Sequence, residues 1–492
     1  MFMFTKLPAF VFVGLSYISQ PVNAEFDIGR GIENFAPGRV LNNQDGRYDY
    51  WNGVGRIQNP TRCVGTLLDT RVDGVAKGPA YVLTNGHCVS LDGGEILRDT
   101  DFEGAIQFKF FTGQESTAKA YPFKKVNWSS MRGVDLAILE LQASLASVME
   151  DGVQPLLFGR RPDEGTDILV VGGKGIDPLR VAACQLENAP EVVEDVWVWR
   201  HTMKNKCKGT GPGSSGSPII ERSTNKIVGV LNTIYDYGPY QCGMHMPCQI
   251  KDGKFYTEKT NYGISTDMID RCFVDGVFSE DPARCVLFPA YSIVGDVARQ
   301  QQYYLPEDLT AGSPAVYPTW NMRLTLDKPF YRYKVTRRPR SCEVAHGYSD
   351  IIDSANAYIN DEIGPQVGIH TLCVVGVDSR ESLPFPGEMR NALNAVVELK
   401  AADKNVEPLV RFQGNWFGIY AEFRRAPPSR NQFFMKYGQP AQVDCTTQDG
   451  YTEVEFKEGK GTSVVKLEPQ LGLVCVYSKD IRGTSSPVET YP

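Results

Sequence analysis

Past its first two dozen residues the 492-residue chain has no long apolar run, and nowhere does it have a block of basic residues. The first absence excludes a conventional membrane-spanning helix from the body of the chain. The second argues against nucleic acid as a partner. Lys plus Arg number 51 against 58 Asp plus Glu, a net charge of −7, and no stretch could neutralise a row of phosphates. Histidine is scarce, at five residues. His245 does lie between Cys242 and Cys248, but no second cysteine–histidine group with zinc-site spacing accompanies it, so no metal or other cofactor is expected. What is present is ordinary globular material: 42% hydrophobic residues, with 47 Gly and 31 Pro spread along the chain. The length excludes a single small module and implies roughly two to four domains.

Residues 1–24 stand apart. Lys6 is their only charge, Leu7 to Ile18 is largely apolar, and Val22-Asn23-Ala24 places small residues where a signal peptidase reads. This is the pattern of a cleaved secretory leader rather than an anchor. Residues 25–39 then form a pro-segment or extension. All twelve cysteines follow the leader, as expected of disulfides in an oxidising compartment, extracellular or periplasmic. Sequential pairing is the simplest arrangement (Cys63 with Cys88, Cys184 with Cys207, Cys242 with Cys248, Cys272 with Cys285, Cys342 with Cys373, Cys445 with Cys475), although sequence leaves the connectivity open.

From about 50 to 270 the chain reads as short strands: Arg62 to Leu68, Ala80 to Thr84, Ile106 to Phe111, Leu136 to Leu141, Asp167 to Val171, Val196 to Arg200 and Lys226 to Leu231. Each is an apolar or alternating run bounded by turn residues. An all-β barrel or sandwich follows, with one short helix expected over Asp267 to Cys272, capped by Thr266. Past Cys285 two stretches echo each other. Trp320, Phe330-Tyr331-Arg332-Tyr333, Cys342 and Cys373 are matched in order by Trp416, Phe433-Phe434-Met435-Lys436-Tyr437, Cys445 and Cys475, the cysteines at offsets of 103 and 102 residues. The reading is a tandem pair of small β-sandwiches at 300–395 and 396–492. Each should have its own core, so that truncation near Arg299 should leave an active barrel domain over 40–290.

Three segments carry chemistry. Thr84-Asn85-Gly86-His87-Cys88 presents an imidazole at a strand end. Gly133-Val134-Asp135-Leu136 sets a carboxylate before a buried strand, where desolvation demands a hydrogen-bond donor. Gly213-Ser214-Ser215-Gly216-Ser217-Pro218 holds a serine between glycines, in a turn whose backbone N–H groups can converge. Together they supply a hydroxyl nucleophile, a base, a carboxylate to orient the base, and an anion-binding turn. In this order the segments resemble those of the trypsin/chymotrypsin-like serine endopeptidases, especially secreted bacterial members, over roughly residues 40 to 275.

The resemblance implies a double β-barrel, with Ser215 as nucleophile, His87 as general base and acid, and Asp135 as the orienting carboxylate. The N–H groups of Gly213 and Ser215 would form the oxyanion hole, and Cys63 would bridge to Cys88. Substrates would be proteins or peptides, and the C-terminal repeats would bind a surface or protein ligand. It further implies a specificity pocket floored near Gly209 and Thr210, walled by Asn232, Thr233 and Ile234, and closed near Gly263. None of these is charged, so a neutral residue is expected before the scissile bond, with an acidic one as the alternative because Lys208 and His201 lie nearby in sequence. Two positions depart from the family: Ser214 stands where zymogens carry the aspartate that pairs with a freed N-terminus, and Leu231 where glutamyl-specific members carry histidine. The alternative from another class is an inert protease scaffold that serves as a binding protein.

Overall fold

The computed structural model describes residues 27–491 apart from 59–61, 92–94, 175–177, 190, 237–240, 296–300, 306–315, 403–405, 409, 416–417, 458–461 and 468–471. The expected leader therefore lies outside the described residues. Six strands build a first barrel: β1 Val54–Gln58, β2 Val64–Leu67, β3 Pro79–Thr84, β4 Ala105–Phe108, β5 Lys119–Ser130 and β6 Leu136–Ser144. They pair antiparallel in the ring order β1-β2-β3-β6-β5-β4, and β4 returns to β1. A second barrel uses β7 Asp167–Gly172, β8 Arg180–Asn188, β9 Thr202–Asn205, β10 Pro218–Glu221, β11 Lys226–Ile234 and β12 Asn261–Ser265. Its ring order β7-β8-β9-β12-β11-β10 repeats the topology of the first. Closure removes free strand edges, so each barrel needs only an apolar interior to persist. Those interiors are built from alternate positions: Ile57, Val82, Ile106, Phe108 and Leu139 in the first, and Ile168, Leu186, Met203, Ile219 and Leu231 in the second. This is the double-barrel chymotrypsin-like fold.

The expected helix over Asp267 to Cys272 is replaced by a single 3-10 turn at Asp270–Cys272. The Thr266 hydroxyl donates to the Ile227 carbonyl at 3.3 Å instead of capping a helix, because closure of the second barrel draws it there. The extension is partly bound: Arg39–Val40 pairs with β8, and Asp27 forms a 2.6 Å ion pair with Arg222.

Two further modules follow. In the first, a three-stranded sheet (Ile293–Gly295, Met322–Leu326, Tyr358–Ile359) faces a five-stranded one led by Phe330–Thr336, Gly368–Val377 and Leu393–Lys400 across a shared apolar core. In the second, Val410–Asn415, Gly418–Arg424 and Thr462–Leu467 face a sheet centred on Gln432–Gly438 and Leu473–Lys479. The boundary expected at 395/396 thus cuts a strand of the first module, and Ile293–Gly295 precedes its expected start at 300. Neither strand carries an aromatic or cysteine landmark of the repeat. One local arrangement recurs in both modules. The Lys334 ammonium donates to the His346 carbonyl and lies 4.3 Å from the centroid of Tyr348, whose hydroxyl donates to the Cys342 carbonyl. Lys436, Asp449, Tyr451 and Cys445 repeat it, with the ammonium 4.4 Å from the ring.

All twelve cysteines form disulfides, in sequential pairs. Cys63–Cys88 ties β2 to the turn carrying His87, and Cys184–Cys207 ties β8 to the segment entering the Ser215 turn. Replacing either pair with alanines should lower unfolding free energy by about 2 to 5 kcal/mol. Denaturant titration against the parent measures this, and unchanged stability would show that the bridges leave the unfolded chain unconstrained.

Candidate active site

His87 sits on the 3-10 turn Gly86–Cys88 directly after β3, and Asp135 immediately precedes β6, the strand paired with β3. Adjacent strand ends therefore bring together two residues 48 positions apart in sequence. His87 Nδ1 lies 2.7 Å from Asp135 Oδ2, and the His87 backbone N–H donates to Asp135 Oδ1 at 2.9 Å. Both carboxylate oxygens are thus engaged by one residue, with Asp135 fully buried. Desolvation pulls the imidazole pKa down, but the charge and hydrogen bond of Asp135, with Glu194 adding to them, outweigh it and leave His87 above its ordinary 6.5.

The Ser215 turn comes from the second barrel, between β9 and β10. Gly216 adopts φ +84°, and a Cβ there would stand 1.9 Å from the Val64 carbonyl oxygen, so only glycine lets the turn approach β2 this closely. The approach is fixed by the Val64 N–H donating to the Ser215 carbonyl at 2.8 Å, and by the Gly216 N–H donating to Asn85 Oδ1 at 2.6 Å. Asn85 Nδ2 in turn donates to the Asp135 carbonyl at 2.9 Å. One asparagine side chain therefore links the histidine, aspartate and serine segments across the barrel interface. Ser214 is buried, and its hydroxyl accepts the Gly211 N–H at 3.1 Å, so this position is satisfied within the turn. Among the described residues, the N–H groups of Gly213 and Ser215 donate to no protein acceptor.

His87 and Ser215 open onto one cavity of about 320 Å³, lined also by Gly213, Leu231, Asn232, Thr233 and Ile234. Other expected pocket residues lie elsewhere. Gly209 and Thr210, with Lys208, line a separate small crevice beside Gly38, and the Thr210 hydroxyl donates to Asn261. Gly263 is buried within β12 against Ile219. His201 pairs with Glu343 of the first C-terminal module at 2.9 Å and does not line the cavity.

Sequence reasoning missed one whole wall. Between β8 and β9 the chain inserts a hairpin, Glu191–Glu194 with Trp197–Arg200, which forms a four-stranded sheet with Cys248–Lys251 and Lys254–Thr257. Alternation along its strands splits its side chains. Val193 and Val198 pack on Ile369 and Val396 of the first C-terminal module, while Glu194, Trp197 and Trp199 line the cavity. The signal available in the sequence was an acid embedded in Val192-Val193-Glu194 beside Trp197-Val198-Trp199, a poor composition for a solvated loop.

The same hairpin ties the Asp135 loop to the first C-terminal module. The Arg200 N–H donates to the Gly133 carbonyl at 2.8 Å. The Arg200 guanidinium, with no exposed surface, donates to the Met389 and Arg390 carbonyls and lies within 3.4 Å of Glu343. Gly133 has φ +71°, and a Cβ there would meet Arg200 Nη2 at 2.1 Å. Arg132 is buried too, and its guanidinium donates to the carbonyls of Tyr291, Asn391 and Ile293 at 3.1, 3.2 and 3.2 Å. Burial pushes the Glu343 carboxyl up, but His201, Arg200 and Arg390 together draw it down to about 2. A depressed carboxylate stabilises the folded state above its unfolded pKa, and that contribution is lost as pH falls through the folded value. Docking of the module should therefore weaken between about pH 4.5 and 2. Proteolytic sensitivity of the 386–400 region should rise over that interval, and a Glu343→Gln protein should lack this acid-dependent component.

Residues 65–230 match the family model for a trypsin-like peptidase domain, in keeping with the double-barrel fold. The chain thus carries a trypsin-like serine peptidase domain. Solved structures it is similar to include the Rv3671c protease from M. tuberculosis in its active form, at 15% identity over 53% of this chain and 90% of that one, with a TM-score of 0.31. The MamO protease domain from Magnetospirillum magneticum is similar at 16% identity over 45% and 96%, with a TM-score of 0.30. The thermostable serine protease AL20 from an extremophilic microorganism is similar at 13% over 44% and 92%, also with 0.30. No curated protein matches the chain.

Proposed function

We propose that this protein is a secreted serine endopeptidase acting through Ser215, His87 and Asp135. The observation that carries the reading is the doubly held Asp135–His87 pair opening with Ser215 onto one cavity. Ser215 Oγ attacks the scissile carbonyl carbon while its proton passes to His87 Nε2, and Asp135 holds Nδ1–H and stabilises the imidazolium. The carbonyl oxygen, now anionic, accepts from the free N–H groups of Gly213 and Ser215. His87 returns the proton to the leaving amine as the C–N bond breaks, giving an acyl-Ser215 ester. Water, deprotonated by His87, then cleaves the ester and restores the hydroxyl. Secretion is supported by the 1–24 leader pattern and by six disulfides; among the described residues no helix is long and apolar enough to cross a membrane. The C-terminal modules are tandem repeats, as their matching Lys-Tyr-Cys arrangements support, and the second is free to bind a substrate or surface.

A fluorophosphonate probe should label Ser215, and cleavage-site profiling should return peptide products that vanish with Ser215→Ala. An unlabelled, well-folded protein would favour the inert scaffold instead. Because only neutral imidazole can accept the serine proton, kcat/KM should rise with pH through a midpoint above 6.5, in keeping with the raised His87. A midpoint below 6.5 would contradict that environment.

A further inference from the structure

The cavity beside Ser215 is mostly apolar, lined by Leu91, Met131, Leu231, Ile234 and Met244 together with Trp197 and Trp199, whose rings stack at 6.1 Å. Set into that wall is one carboxylate. Glu194 is 3% exposed, accepts the His245 backbone N–H at 2.7 Å and is hydrogen-bonded by the Thr233 hydroxyl. Beside it Asn232, 4% exposed, has neither its amide N–H nor its oxygen paired among the described residues, although such groups are ordinarily satisfied when buried. An acid in a dry wall, an amide with free valences and two stacked indoles together form the complement of a long aliphatic stem ending in a cation.

We infer that this cavity is a cation-recognition subsite in which Glu194, with Asn232, selects substrates carrying an Arg or Lys side chain next to the cleavage site. The inference rests on the peptidase reading above and replaces the neutral preference expected from Gly209, Thr210 and Gly263, residues that do not line the cavity. The carboxylate comes from the inserted hairpin and not from the Ser215 turn. The groups facing it are Thr233 on β11, His245 in the Cys242–Cys248 loop, and His87 and Asp135 of the first barrel.

Burial holds the Glu194 carboxyl up at about 7, against the pull of Thr233, His245 and His87. The empty subsite is therefore largely neutral in acid and gains its charge as pH rises through 7. The ratio of kcat/KM for an Arg peptide to that for a matched Leu peptide should then climb with pH around 7. His87 governs both substrates alike and cancels in the ratio. Glu194→Gln should lower that ratio about 10- to 100-fold at pH 8 and flatten its pH dependence, the effect expected for a hydrogen bond to a charged group. Thr233→Val, which removes a donor to the carboxylate, should move the rise to higher pH and serves if Glu194→Gln proves unstable to heat.

A ratio unchanged by Glu194→Gln in a folded protein, or a wild-type ratio below one at pH 8, would overturn the inference. Binding of the same two peptides to the Ser215→Ala protein separates this failure from failure of the peptidase reading. Glu194-dependent preference for the Arg peptide there, with no hydrolysis by the parent protein, would sustain the subsite and remove the enzyme. Hydrolysis by the parent protein with no binding preference would do the reverse.

Discussion

Ser215→Ala and His87→Ala should each abolish nearly all peptide hydrolysis, and Asp135→Asn should reduce kcat/KM by roughly 10⁴-fold. The first two remove the attacking oxygen and the base that Asp135 holds in place beside it. The third leaves shape intact but turns the carboxylate into an amide, whose single oxygen cannot accept both Nδ1–H and the His87 backbone N–H, and so favours the wrong imidazole tautomer. Because the three groups act as one unit, the double variant Ser215→Ala/His87→Ala should be no worse than either single one. Single-turnover assays on a fluorogenic peptide measure each loss. Substantial hydrolysis by the Ser215→Ala protein would show that a different group attacks.

Truncation after Arg299 should cost the enzyme its activity, against the expectation from sequence that the repeats are separable. Without the first module, buried Arg200 loses the Met389 and Arg390 carbonyls and Glu343, and Arg132 loses Asn391. The same cut opens these guanidiniums to water, which replaces the lost acceptors without holding the side chains in one place. Both residues grip the loop that delivers Asp135, one through its own backbone and one through the Gly133 carbonyl. We expect truncated protein to be poorly soluble, or soluble with kcat reduced far more than KM is raised. Truncation after Lys400, which removes only the second module, should leave activity on small peptides intact. An active, stable Arg299 truncation would show that the Asp135 loop holds its shape unaided.

The candidate catalytic residues were legible because the chemistry of each is written in its immediate neighbours. Glycine must precede His87 and flank Ser215 where backbones approach, and a carboxylate placed before an apolar strand needs a donor. Short alternating runs likewise marked most of the strands they covered, since a half-buried strand has period two whatever surrounds it. The strands that were missed, such as β8 and β9, mix polar and apolar residues because their neighbours in the closed barrel, and not their own pattern, decide which face is covered.

The sequence by itself determined the chemistry on offer: cysteines that pair in order along the chain, an all-β chain, and histidine, aspartate and serine each in a setting that suits one role. Tertiary structure alone decided what surrounds them. Glu194 lines the cavity, and Gly209 does not, because an inserted hairpin folds its Trp197–Trp199 face over the serine turn while its Val193–Val198 face docks on the first module. Local composition marks the hairpin as something other than a solvated loop but does not say where it folds, since a side chain's burial and charge state depend on which distant surface covers it. The same holds for Arg132 and Arg200: as sequence they are two ordinary surface charges, and only packing against the backbone carbonyls of residues 291–293 and 389–391 makes them the clasp behind Asp135.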